Sequence, residues 1–121
     1  MTPRKVTKVS QLAKSFPKVT EDHPYGPDAT VYKVADKSFA ILQPETDPPQ
    51  ITLKCEPSLA LELRAQFPAV TEGYHVNKKH WNTVLLDGTV PDGELRDMVE
   101  HAYDRVVAGL PRKVRETLPQ R

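Results

Sequence analysis

The segment from Gly73 to Gly88, GYHVNKKHWNTVLLDG, gathers two histidines, two lysines, two asparagines and the chain's only tryptophan just ahead of an apolar run. Adjacent cations such as Lys78 and Lys79, flanked by Asn77, His80 and Asn82, have the chemistry to meet an anion. Lysine supplies charge, and the amide and imidazole groups hydrogen-bond phosphate oxygens or base edges. Tyr74, His75 and Trp81 belong to the same cluster, and Tyr74 and Trp81 offer aromatic faces on which unpaired bases stack. A structural reading stands beside this one. Tryptophans that lead strands commonly pack, loop lysines are commonly solvated, and asparagines close turns. Lys33 and Lys54, each between apolar neighbours, would project from the uncovered face of a sheet. There they serve as anion contacts or simply as its wet surface.

Other chemistry finds little support. His23 lies between Asp22 and Pro24, but neighbours in an extended chain point apart, and no nucleophile motif such as GxSxG accompanies them. His75 and His80, with one cysteine and scattered carboxylates, make no recognisable zinc pattern. Phosphate-cradling glycine motifs are absent too. The reading is of a protein with no catalytic residues, no metal and no cofactor.

The elements that must position the cluster follow from periodicity. Val6, Val9, Leu12, Ala13 and Phe16 recur at helical spacing up to Pro17. EDHPYGPD reads as a loop, its prolines and glycine favouring turns. ATVYKV and KSFAIL read as strands joined by a tight Ala35-Asp36 turn. After the loop PETDPPQ, ITLKC alternates Ile51, Leu53 and Cys55 against Thr52 and Lys54, predicting a strand with one buried and one wet face. A second helix opens at Pro57 with Leu59, Leu63 and Phe67 on one side, and WNTVLLDG follows as a strand ending in a turn. The third helix is expected to start with Asp92 as N-cap and to bury Leu95, Met98, Val99, Ala102 and Val106, with His101 and Tyr103 at its margins. PRKVRETL could add a short helix with Val114 and Leu118 inward. Helix, three strands, helix, about two strands and one or two helices make an α+β fold, an antiparallel sheet with helices packed on one face.

A chain of 121 residues suits one domain, 1–121, with one core. No apolar stretch approaches the roughly 20 residues of a membrane span, and the start MTPRKVTKV lacks a secretory core, so a cytoplasmic protein is expected. The lone Cys55 fits a reducing compartment. The net charge is +1, unevenly spread: Arg4, Lys5, Lys8, Lys14 and Lys18 precede the first acid, Glu21, whereas Asp92 to Asp104 is mostly acidic. Such a field restricts any nucleic-acid contact to a local surface of modest affinity.

The stretches EDHPYGPDATVYKV, FAIL, ITLKCEPSLALELR, FPAVTEGYHVNKKHWNTVLLDG and LPRKVRETL resemble the MmcQ/YjbR family of small bacterial proteins, over nearly the whole chain. The resemblance implies a YjbR-like fold similar to the frataxin-like CyaY proteins, and a DNA-binding role with a double-wing arrangement. Ala35-Asp36 departs from the family's glycine-rich turn, and Glu56 stands where Asp is frequent. The expected function is thus a non-catalytic DNA- or nucleic-acid-binding module, monomeric, contacting its partner through Lys54, Tyr74, His75, Asn77, Lys78, Lys79, His80, Trp81 and Asn82. The alternative is a protein-interaction adaptor that uses the open face of the sheet.

Overall fold

The computed structural model describes residues 4–73 and 77–119. Among them the order is α1 (Arg4–Ser15), β1 (Val19–Asp22), β2 (Thr30–Val34), β3 (Lys37–Gln43), β4 (Gln50–Lys54), α2 (Pro57–Gln66), β5 (Val70–Glu72), β6 (Trp81–Leu85), α3 (Asp92–Ala108) and α4 (Arg112–Arg115). The strands form one antiparallel sheet in the order β1-β2-β3-β4-β6-β5. The α+β arrangement is therefore as the sequence pattern predicts. One strand is additional. Val19–Asp22 pairs with β2 although Glu21 and Asp22 read as loop, because Val34 and Lys33 of β2 offer an edge to Val19 and Thr20. Its exposed residues give no alternating signal.

Residues opposite one another in an antiparallel sheet share a face. One row runs through Tyr32, Ala40, Leu53 and Asn82, and the next through Leu42, Ile51, Val84 and Val70. These side chains are buried, and α3 packs on β2, β3 and β4 while α2 packs on β5 and β6. The predicted α3 stripe, Leu95, Met98, Val99, Ala102 and Val106, is buried. So are Val6, Val9 and Ala13 of α1, and Phe16 just beyond it.

Tyr103 departs from its expected marginal place. It is 3% exposed, its ring stacks on Phe16 with centroids 4.7 Å apart and its hydroxyl donates to the Pro17 carbonyl at 2.7 Å. The segment after α1 comes back over α3 and closes on that side of the helix, which α3's own periodicity does not reveal. Asp92 is not the N-cap either. Pro91 holds that position, and Asp92 begins the helix with its carboxylate on Lys5 at 2.6 Å and Lys8 at 3.4 Å. Glu56, by contrast, caps α2 well, accepting from the Ser58 and Leu59 amides at 3.2 and 3.0 Å.

The β2–β3 turn is as tight as predicted, with Ala35 at φ 50° and Asp36 at φ 63°. Both central residues are left-handed, as a two-residue hairpin of matching twist requires, and here no glycine relieves the strain.

The other sheet face carries Val31, Ile41, Thr52, Thr83 and Thr71 in one row. The expectation that Thr52 is wet fails, since it is 3% exposed. β4 lies in the middle of the sheet between Ile41 and Thr83, and the Thr52 and Thr83 hydroxyls satisfy one another at 3.0 Å.

Candidate nucleic-acid interface

The cluster belongs to the connection between β5 and β6, at the end of the sheet where β4 runs into α2. Asn77 turns the chain twice over. Its carbonyl accepts from the His80 amide at 3.2 Å, and its side-chain oxygen accepts from the Lys79 amide at 2.9 Å. This is the asparagine turn that the residue type favours. The His80 carbonyl accepts from the Cys55 amide at 2.8 Å, fastening the turn to the end of β4, and the Trp81 carbonyl accepts from the Gly73 amide at 2.9 Å.

Beneath the turn lies Arg64, in the last turn of α2. Its Nε donates to Asn82 Oδ1 at 2.7 Å, while Nη2 donates to the Lys78 carbonyl and, at 3.4 Å, to the Trp81 carbonyl. Asn82 Nδ2 completes the link by donating to the Ala60 carbonyl at 3.3 Å. One guanidinium thus joins α2 to both ends of the Lys78–Trp81 segment. The sequence pattern does not single out Arg64. A basic residue in the last turn of a helix is an ordinary partner for the helix dipole, and nothing local marks it as reaching 14 and 17 residues ahead.

The predicted site residues divide into three sets. Asn77, Lys78 and Lys79 are exposed and His80 is half-buried. Lys78 reaches Glu72 at 3.3 Å, both side chains more than half exposed, a pairing that contributes little in water. Lys54 is half-buried, with its ammonium 5.2 Å from the centre of the Trp81 ring. Trp81 and Asn82 form the second set, and both are corrected from contacts to supports. Trp81 is 8% exposed because it pairs with Lys54 on one face, and the lysine lies over the ring a base would need. Asn82 is 2% exposed because it pairs with Leu53 on the helix-covered face, its amide held by Arg64 and Ala60. Tyr74 and His75, the third set, lie outside the described residues.

Lys33 is tied to Asp22 at 2.9 Å. This ammonium is the first cause, ahead of the His23 amide, that holds the Asp22 carboxyl below its usual range. His23 presents Nε2 to the Thr30 hydroxyl at 3.3 Å, and its backbone amide, not its ring, meets Asp22 at 2.8 Å. The Asp-His neighbours therefore form no acid-base pair. Among the described residues no three His, Cys, Asp or Glu side chains converge as a metal would require, and no helix is long and apolar enough to cross a membrane.

Known proteins are similar to this chain in sequence and fold. The YjbR family model matches residues 14–105. The uncharacterised protein YjbR of Escherichia coli K12 is 40% identical over 92 residues, 76% of this chain and 78% of that protein. The uncharacterised protein YbdF of E. coli O157:H7 is 33% identical over 103 residues, 85% of this chain and 84% of its own length. Among solved structures, the Deinococcus radiodurans protein DR2400, with domain DUF419, superimposes with a TM-score of 0.86 at 34% identity, covering 94% of this chain and 88% of that one. A Pseudomonas syringae protein gives a TM-score of 0.69 at 29% identity over 85% and 97%. With the family model spanning most of the chain and the sheet and helices matching so closely, this protein belongs to the YjbR family.

Proposed function

We propose that this protein binds nucleic acid, with DNA as the partner, through the Asn77–His80 turn and without catalysing a reaction. The observation that carries this reading is the fixed display of Lys78 and Lys79. Both are exposed on a turn whose carbonyls are held by Arg64 and Cys55, so the cations are offered from a defined backbone. Lys54, beside the Trp81 ring, supplies a third charge at the same end of the sheet. The Glu72 partner of Lys78 is exposed and gives way readily to a phosphate. Contacts of this kind position a nucleic-acid backbone and read no sequence.

A second reading, a protein partner, is supported by the sheet face beyond Lys54. Ile41, Gln43 and Gln50 are half-buried and uncharged, and the half-buried Lys33 is already paired with Asp22. Phosphates would find no free cation among these residues.

Titration with duplex and single-stranded oligonucleotides at several salt concentrations separates the two. Nucleic-acid binding predicts salt-sensitive affinity, with Lys78→Ala/Lys79→Ala weakening it evenly across sequences. The slope of log affinity on log salt should flatten by about 0.9 for each duplex phosphate that the variant no longer neutralises. Wild-type protein with no salt-sensitive binding to either form would leave the protein-partner reading in its place.

A further inference from the structure

The geometry points to Arg64 as the positioning residue of this interface, a role that rests on the nucleic-acid reading and deepens it. Three hydrogen bonds from one half-buried guanidinium hold Asn82, Lys78 and Trp81. Two of them end on main-chain carbonyls of the turn segment, so they set backbone shape whatever the side chains do. Placing Arg64 there also brings a third cation to a turn that already carries Lys78 and Lys79. Like charges brought together destabilise a fold, and a backbone turn could have been fastened by a neutral amide. The arrangement makes physical sense where an anion offsets the repulsion. Among the described residues, Arg64 Nη1 has no hydrogen-bond partner and Glu72 is the acid that reaches the turn, meeting Lys78.

A turn fixed before binding loses less freedom when its partner arrives, so affinity is gained without a new contact. Lysine at position 64 keeps the charge but cannot form the planar fork that grips Nε and Nη2 acceptors together. Arg64→Lys should therefore weaken binding of a fluorescein-labelled oligonucleotide by about threefold to tenfold, with the salt slope unchanged because the number of cations is unchanged. In the free protein, amide hydrogen exchange at Lys79 and His80 should quicken while β3 and β4 amides keep wild-type protection. Asn82→Ser is the second variant. It leaves Arg64 in place, removes the acceptor that orients it, and should give the same slope-preserving weakening should Arg64→Lys fold poorly.

Wild-type affinity in Arg64→Lys despite faster exchange at the turn would overturn the inference while leaving the nucleic-acid reading intact. In Arg64→Gln, which removes the charge, a slope flatter by about 0.9, the signature of one phosphate no longer neutralised, would also overturn it, by making Arg64 a direct phosphate ligand. If wild-type protein binds neither oligonucleotide, the underlying reading falls first and the inference with it.

Discussion

Asn82 Oδ1 and Arg64 Nε meet at 2.7 Å between β6 and α2, and the other end of the same amide donates to the Ala60 carbonyl. Asn82 is 2% exposed, so its removal strands groups that water reaches poorly. Asn82→Ala should lower stability by about 1–3 kcal/mol, the cost of leaving buried hydrogen-bonding groups unmade. Urea denaturation measures it. A change below about half a kcal/mol, the range of an ordinary surface substitution, would show that α2 does not depend on this link.

Tyr103 gives a graded test of the α1–α3 junction. Tyr103→Phe keeps the stack on Phe16 and removes the 2.7 Å bond to the Pro17 carbonyl, for an expected destabilisation of about 0.5–1.5 kcal/mol. Tyr103→Ala also empties ring volume from the core and should cost about 3–5 kcal/mol. Equal destabilisation in the two variants would mean that the ring packing is unimportant.

His101 links α3 to the start of α2, its Nε2 accepting from the Glu56 amide at 3.1 Å. That bond needs a neutral ring. Burial is the main cause that lowers the His101 pKa from 6.5, with Arg105 adding to it and Glu56 and Asp104 opposing it. The unfolded chain therefore binds the proton more readily. Stability should be full above about pH 6.5 and should decline as pH falls through the lower folded value. Glu56 is held below the usual carboxylate range first by the Leu59 amide, and Asp92 by Lys5. Their contributions persist until more acid conditions, lost only below about pH 4. Denaturation at pH 7.5 and 5.5 should show a drop in wild type that is smaller in His101→Ala. An equal drop in both would assign the effect elsewhere.

Cys55 should be chemically quiet. It is 4% exposed, and burial, helped by the Glu56 charge, pushes its thiol up to about 11. At pH 8 little of it is thiolate, the reactive form. Iodoacetamide should leave the native protein unmodified over a period that alkylates it fully in urea. Rapid labelling of the folded protein would show that β4 opens at this end.

Much of this molecule is written in local sequence. Helical spacing in α1 and α3, alternation through Ile51 and Leu53, and the prolines and glycines between them are properties of short segments. Each segment has a face to bury whether or not its neighbours are known. The same holds for the Asn77 turn, whose capping oxygen lies two residues from the amide it holds. Tertiary structure decided everything that depends on which segments meet. β1 exists because β2 offers it an edge, and Tyr103 is buried because the chain after α1 returns over α3. Trp81 and Asn82 become supports because they pair with Lys54 and Leu53, and Arg64 reaches the turn across 14 residues. Those pairings are set by register and packing between distant parts of the chain, and no periodicity within a single element encodes them.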